Sequence, residues 1–195
     1  MPTRPDSQDA SACPGAPIAL HCHPACRAGA VSAIAVEVRR GADGALRLAY
    51  RLHGDPAGLR IPAPATPGPV DGLWQHTCLE AFVAAVDAEN YHEFNFSPAG
   101  HWASYRFTAC RERDSDFVPG AVPTIDFQPL SAGFELRATI PAALLPPGTS
   151  LQLGLTAVIE AADGSKSYWA LAHCAAQPDF HLRQSFTLTL PRNAP

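Results

Sequence analysis

The sequence predicts an all-β protein, and more specifically an antiparallel β-sandwich. About eleven short stretches alternate between apolar and polar residues with a period of two, and turn residues separate them. The chain shows no long amphipathic helix and no internal repeat, and its 195 residues suit one domain with a sizeable core. A closed β-barrel is the alternative architecture, because the number of strands does not distinguish a barrel from a sandwich.

The strands follow from the alternating stretches taken in chain order. We expect them near residues 18–22, 31–40, 45–53, 77–86, 91–97, 101–109, 122–128, 134–140, 151–161, 167–173 and 184–190.

The connections carry recognisable turn chemistry. Gly41–Gly44 predicts a hairpin between the second and third strands, and Ser131–Gly133 and Asp163–Gly164 predict further turns. Residues 61–70 contain four prolines, which lack backbone donors and therefore predict a loop leading to Trp74. Residues 141–145 predict one helical turn. We expect residues 1–17 to form a flexible N-terminal arm and residues 18–195 a single domain.

The charge balance excludes several classes of partner. Lys and Arg number 14 and Asp and Glu 18, so the formal net charge is −4. No basic run is present, so we expect neither nucleic acid nor a membrane surface as a partner. The sequence has no hydrophobic segment of a secretory signal and no apolar run of ~18 residues, which predicts a cytoplasmic location. The oligomeric state stays open.

The six cysteines are expected to be free thiols in a reducing compartment. His21, Cys22, His23 and Cys26 form the one cluster that resembles a metal site. Its spacing fits no standard zinc pattern and a second ligand pair is missing, so we predict an ordinary edge strand and no metal.

Two adjacent segments carry the strongest functional signal. In residues 74–83, Thr77, Leu79, Ala81 and Val83 can pack on a core, whereas Trp74, His76, Cys78, Glu80 and Phe82 share the opposite face. In residues 91–97, His92, Phe94 and Phe96 share one face, and Tyr91, Glu93, Asn95 and Ser97 the other. A face that mixes aromatic rings with carboxylate and amide groups suits a cleft for a polar ligand.

These segments also resemble a known family. The order Trp, Glu-x-Phe and Tyr-x-x-Phe-Asn-x-Ser-Pro-x-Gly is similar to the bacterial DOMON-like domains, which are related to family 9 carbohydrate-binding modules. Residues 167–173 and 178–181 resemble the same group, and the resemblance spans roughly residues 18–190. It implies two antiparallel sheets and a site in which aromatic side chains clamp a sugar among polar groups.

The sequence therefore predicts a non-catalytic module that binds a saccharide or a similar polar ligand. By resemblance the site includes Trp74, Glu80, Asn95 and Trp169; His76 and Cys78 depart from the pattern. If the Trp102 side of its strand joins the same face, Arg106 belongs to the site as well. We expect residues 168–181 to close over this face, with Trp169 and Glu80 opening onto one cleft. The predicted ligand-binding residues are Trp74, His76, Glu80, Asn95, Trp102, Arg106, Trp169 and His173.

Other interpretations of these residues remain open. The tryptophans are equally consistent with core packing, Glu80 with an ion pair to Arg106, and Asn95 with a cap on a hairpin turn. Glu80 and Glu93 could form the carboxylate pair of a small glycoside hydrolase. Haem is a rival ligand; because Met1 is the only methionine, it would need two facing histidines from His76, His92, His101, His173 and His181.

Overall fold

A computed structural model of the protein describes residues 16–148 and 150–191. The predicted arm falls mainly on residues 1–15, which lie outside the described residues, as do residues 192–195. The described strands are β1 (Ile18–Cys22), β2 (Val31–Arg40), β3 (Leu46–Gly54), β4 (Gly68–Pro69), β5 (Cys78–Ala85), β6 (Tyr91–Phe96), β7 (His101–Ala109), β8 (Glu112–Arg113), β9 (Thr124–Leu130), β10 (Gly133–Ile140), β11 (Ser150–Glu160), β12 (Lys166–Ala170) and β13 (Leu188–Pro191).

Short 3₁₀ turns complete the secondary structure. They span Pro56–Gly58, Leu73–Gln75, Ala142–Leu144 and Arg183–Ser185. The third of these is the helical turn predicted within residues 141–145. No helix among the described residues is long and apolar enough to cross a membrane.

All the described strands belong to one sheet. Its main path runs β4-β7-β6-β5-β11-β12-β1-β2-β3-β10-β9, with β13 beside β11 and β8 beside β7. Every pairing is antiparallel except that of β4 with β7. Strand β1 pairs with both β2 and β12, so it joins the two halves of the sheet.

The sheet curls so that its halves face each other across the main hydrophobic core. Leu79, Ala81 and Val83 of β5 enter that core from one half, and Leu48 and Leu52 of β3 from the other. The Tyr50 hydroxyl of β3 crosses the core and donates a hydrogen bond of 2.6 Å to the backbone carbonyl of Glu80. This hydrogen bond and the shared core link the two halves of the sheet.

The all-β antiparallel class is confirmed, but the predicted sandwich of two separate sheets is not. The described residues form a half-barrel, because β1 is hydrogen-bonded to both halves and leaves no gap between them. All eleven predicted strands have counterparts among the described strands, whereas the two-residue strands β4 and β8 escaped prediction. Two residues are too short to show an alternating pattern.

Strand β11 carries a glycine whose small size shapes the face opposite the main core. A Cβ added at Gly154 would lie 2.7 Å from Cδ1 of Phe186, which is buried against Phe82 at a ring-centroid distance of 5.6 Å. We therefore expect Gly154→Ala to lower the free energy of unfolding by about 1–3 kcal/mol. Thermal unfolding measures this loss. Gly120→Ala is the matched control, since its Cβ would meet no atom within 4 Å, and equal stability of both variants would contradict the packing described.

Candidate functional site

The sheet carries a large cleft on the face turned away from the main core. Its volume is about 650 Å³. Strands β5, β6, β7, β11 and β12 form the floor, and the segments around residues 25–26, 71–74, 111–113 and 177–181, which include β8, form the walls. The lining residues are Ala25, Cys26, Asp71, Trp74, Glu80, Phe82, Glu93, Tyr105, Phe107, Arg111, Arg113, Val158, Tyr168, Gln177, Pro178, Phe180 and His181.

Period-two alternation explains which side chains reach the floor. In β5, Leu79 and Ala81 enter the core, so Glu80 and Phe82 point to the cleft. In β6, Phe94 enters the core, and Glu93 faces the cleft. Both predicted faces of these strands are therefore present, and the cleft lies on the face that mixes aromatic and polar groups.

Aromatic side chains supply most of the apolar surface of the cleft. Phe82, Tyr105, Phe107 and Tyr168 lie on the floor, whereas Trp74 and Phe180 come from the walls. Trp74 is 54% exposed although it is a large apolar side chain. An exposed indole at the mouth of a cleft is available for stacking against a ligand.

Two buried carboxyl groups lie on the floor of this aromatic cleft. Glu80 accepts a 2.9 Å hydrogen bond from the Thr156 hydroxyl, and Glu93 accepts one of 2.7 Å from the amide of Asn95. The strands place them diagonally, because Glu80 pairs with Asn95 and Glu93 with Phe82. Burial, and then the charge of Glu93, raise the pKa of Glu80 to about 8. Burial also raises the pKa of Glu93 to about 7, against the Asn95 hydrogen bond and nearby arginines.

A hydrogen-bond chain fixes the imidazole of His181 beside Glu93. The backbone N–H of Arg111 donates to the Tyr91 hydroxyl at 3.1 Å, and that hydroxyl is hydrogen-bonded to Nδ1 of His181 at 2.7 Å. Nε2 of the same ring lies 3.9 Å from Oε2 of Glu93. Burial, reinforced by Arg111, lowers the pKa of His181 to about 4, so the ring is neutral near pH 7.

Charged groups at the rim are paired with one another. Arg111 bridges to Asp179 at 2.9 Å, and its backbone adopts a φ of 60°. The guanidinium of Arg113 lies 4.1 Å from the ring centroid of Tyr105, whose hydroxyl donates a short hydrogen bond to Asp71. The Arg111–Asp179 pair holds the loop carrying Phe180 and His181 against the strand side of the cleft. The left-handed φ fits the position of Arg111 in the tight turn between β7 and β8.

The structure brings only part of the predicted set of site residues together. Trp74 and Glu80 line the cleft, and Asn95 lies fully buried on the same face, bonded to Glu93. His76 turns outward and contacts Glu160 at 2.8 Å. His173 lies beside the cleft, where its Nε2 bonds the carbonyl of His21 at 2.8 Å and its ring contacts Phe180.

Three predicted positions lie elsewhere, and the prediction that Trp169 and Glu80 open onto one cleft is wrong. Trp169 is buried in the main core and its indole N–H donates to the Ser167 hydroxyl, whereas its neighbour Tyr168 faces the cleft. Trp102 and Arg106 occupy the face of β7 opposite Tyr105 and Phe107. Arg106 pairs with Asp114 rather than with Glu80. The register explains this, because Asn95 stands opposite Ala103 and not Trp102.

Sequence reasoning missed the aromatic and charged residues that complete the cleft. Tyr105 and Phe107 lie on the face of β7 opposite the Trp102 face, which was the one predicted to join the site. Asp71 and Arg111 belong to loops and Arg113 to the two-residue strand β8, and none of these segments shows a periodic pattern. Of the segment 168–181 that was predicted to close over this face, Gln177, Pro178, Phe180 and His181 line the cleft, whereas Trp169 turns into the main core. The Pro178–His181 segment of the family resemblance was the signal that pointed to this loop.

The described residues offer neither a metal cluster nor a pair of facing histidines in the cleft. No group of three His, Cys, Asp or Glu side chains among them is arranged to hold a metal ion. His23, from the cluster considered above, is buried between the Ala25 N–H and the Ala175 carbonyl. In this part of the chain His181 is the only histidine that lines the cleft. Bis-histidine haem needs two histidines that face each other, so the cleft residues that the structure describes do not fit it.

Solved structures of other proteins share the fold of this chain. The chain is similar in structure to a candidate carbohydrate-binding protein from Bacteroides uniformis ATCC 8492, with a TM-score of 0.60, 19% identity, and 82% of this chain and 78% of that chain covered. It is also similar to a family 9 carbohydrate-binding module from Caldicellulosiruptor kristjanssonii in complex with cellotriose, with a TM-score of 0.51, 12% identity, and coverages of 80% and 71%. No family model and no curated protein matches the sequence. At these identities the likeness establishes a shared fold.

Proposed function

We propose that the protein is a non-catalytic module that binds a saccharide in the cleft. One observation carries this proposal: an aromatic cleft of about 650 Å³ contains two buried carboxyl groups on its floor and an exposed indole at its mouth. A sugar ring has apolar C–H faces and a polar edge of hydroxyl groups. The cleft offers surfaces that complement both.

The geometry suggests a role for each group. The Trp74 indole stacks on the C–H face of a sugar ring, and Phe180 and Tyr168 enclose the ring from the other side. Glu80 and Glu93 hydrogen-bond the hydroxyls, because a desolvated hydroxyl without a partner is costly. Near pH 7 Glu80 is mostly protonated, since its pKa is raised to about 8. Its carboxyl group can therefore donate one hydrogen bond as well as accept others.

The structural neighbours support the same proposal. The neighbour from Caldicellulosiruptor kristjanssonii binds cellotriose through a domain of this fold. The DOMON-like sequence pattern, which contributes Trp74 and Glu80 to the cleft, points in the same direction. We infer that this chain uses a related surface for a related class of ligand.

Isothermal titration calorimetry of the purified protein tests the proposal. Glucose, cellotriose and a panel of other neutral and charged oligosaccharides serve as titrants. We expect saturable binding of at least one saccharide, with affinity in the micromolar to millimolar range set by stacking and a few hydrogen bonds. Absence of binding across the panel would contradict the proposed function.

The Glu80–Glu93 pair supports glycoside hydrolysis as a second candidate function. Both carboxyl groups face one cleft and both have a raised pKa, as a general acid near neutral pH requires. If the pair is catalytic, release of the aryl group from chromogenic glycosides should depend on Glu80 and Glu93. We expect the wild type to show no turnover. If the wild type does release the aryl group, and Glu93→Gln abolishes this release while circular dichroism shows that the fold is retained, the protein is a glycoside hydrolase instead.

A further inference from the structure

Among the residues that the structure describes, no cationic side chain forms an ion pair with Glu80 or hydrogen-bonds Glu93. Glu80 is 2% exposed, and one of its oxygens accepts the Thr156 hydrogen bond. The described residues donate no hydrogen bond to its other oxygen. Glu93 is 5% exposed, and within residues 16–148 and 150–191 it accepts only the Asn95 amide, since His181 at 3.9 Å is beyond hydrogen-bond distance. In this part of the chain each carboxyl group is therefore buried on the cleft floor with one neutral hydrogen-bond donor.

The nearby arginines do not fill this role. Arg111 is bound to Asp179 at 2.9 Å, and Arg113 stacks on Tyr105 and approaches Asp71 at 3.5 Å. The charges of both arginines lower the pKa of Glu93 from a longer distance. Among the described residues, neither arginine forms an ion pair with Glu80 or Glu93. Without a cation beside them, Glu80 is mostly protonated near pH 7 and Glu93 is about half ionised. An ammonium group that contacts the pair would favour the ionised carboxylates and gain a charge-assisted hydrogen bond.

The walls of the cleft suit the same kind of ligand. Trp74, Tyr105, Tyr168 and Phe180 present aromatic surfaces around the two carboxyl groups. Aromatic faces attract a desolvated ammonium group as well as the C–H face of a sugar. A neutral saccharide uses the aromatic surfaces but leaves the carboxyl pair without a counter-charge.

We propose that the preferred ligand is an amino sugar with a free ammonium group, held by Glu80 and Glu93 while its ring stacks on Trp74. This inference rests on the proposed saccharide-binding function and specifies the class of saccharide. N-acetylation removes the charge and adds bulk, so the acetylated sugar should lose the preference. An aliphatic polyamine carries the charge without the ring and should bind more weakly than the amino sugar.

Calorimetry on a matched set of β-1,4-linked trimers tests this preference. The glucosamine trimer, the N-acetylglucosamine trimer and cellotriose differ only at the 2-position, and spermine represents the ammonium group without a sugar. Measurements near pH 7 keep most of the amine charged, and Glu93, with a pKa of about 7, is then about half ionised. We expect the glucosamine trimer to bind about tenfold or more tightly than the other three ligands, as a charge-assisted hydrogen bond implies.

Variants of the two glutamates test whether the preference for the amino sugar depends on the carboxyl pair. In Glu80→Gln and Glu93→Gln we expect the preference for the glucosamine trimer to fall to within about threefold of cellotriose. Glu37→Gln, which changes a carboxylate paired with Arg39 on β2, serves as the control and should retain the preference. Circular dichroism confirms that each variant is folded.

The outcomes distinguish this inference from the function on which it rests. Equal binding of cellotriose and the glucosamine trimer would overturn the amino-sugar preference and leave saccharide binding intact. Spermine binding as tightly as the glucosamine trimer would show that the charge alone suffices and would overturn the sugar assignment. Failure of all four ligands to bind would overturn the amino-sugar preference and count against the proposed function.

Discussion

Replacing Trp74 with alanine is expected to weaken saccharide binding by about 30-fold or more, which corresponds to about 2 kcal/mol. The indole is the exposed aromatic surface at the mouth of the cleft, and its loss removes the stacking platform. Stability should change little, because a side chain that is 54% exposed contributes little to the core. Calorimetry with the best-binding saccharide measures the first effect, and thermal unfolding the second.

Two controls sharpen this test. Trp74→Phe keeps an aromatic face and should retain part of the affinity. Val118→Ala truncates an apolar side chain that is 81% exposed and lies outside the cleft, so binding should be unchanged. If Trp74→Ala binds saccharide as tightly as the wild type, the stacking role is wrong.

The second large effect concerns the pH dependence of stability. Glu80 has a folded-state pKa of about 8, above the ordinary 4.5, so the native state holds a proton that the unfolded chain releases. The stability associated with this group is fully present below pH 4.5 and is lost as the pH rises to about 8. Glu93 acts in the same direction up to about 7. We therefore expect the wild type to lose stability between about pH 6.5 and about pH 8.5.

Groups that change stability with pH in the opposite direction to Glu80 and Glu93 titrate mainly below this pH window. His92, His173 and His181 have lowered pKa values, so the destabilisation they cause grows as the pH falls through 6.5 and fades above about pH 7. The lowered pKa values of Asp71, Asp114 and Glu160 matter only in acid. Together the two glutamates should cost about 2 kcal/mol across the window, or about 4–8 °C in the unfolding temperature.

Glu80→Gln is the variant that isolates this effect. It removes the ionisable group and relieves its repulsion with Glu93, so most of the loss between about pH 6.5 and about pH 8.5 should disappear. Thermal unfolding in matched buffers measures how the unfolding temperature changes with pH. Glu37 is the control position, because its carboxylate pairs with Arg39 on β2, and Glu37→Gln should behave as the wild type. An equal slope in Glu80→Gln and wild type would show that Glu80 is ionised in the native state.

The sequence predicted the strands well because their signal is local. The alternation of Leu79, Ala81 and Val83 with Glu80 and Phe82 depends only on the period of a β-strand, and the structure confirms both faces. The turns at Gly44 and Gly164 likewise follow from local backbone requirements, since both have positive φ. The curling of the sheet depends on β1 pairing on both of its edges, which no local pattern encodes.

The sequence could not show which faces of neighbouring strands lie on the same side of the sheet. Alternation separates Trp102 and Arg106 from Tyr105 and Phe107, but which pair joins Glu80 depends on the register between β6 and β7. Trp169 and Tyr168 pose the same problem on β12: both are large and amphipathic, and the structure places Trp169 in the core and Tyr168 in the cleft. Residue type alone did not separate the two.

Nuclear magnetic resonance of the indole N–H groups tests the central claim most directly, because the three tryptophans occupy three different environments. Trp74 lies in the cleft, whereas Trp102 and Trp169 are buried outside it. Titration with cellotriose and with the glucosamine trimer should shift the Trp74 indole signal, identified by its absence in Trp74→Phe, and leave the other two nearly unchanged. A saturable shift of the Trp102 or Trp169 signal with Trp74 unmoved would place the binding site elsewhere and contradict the account.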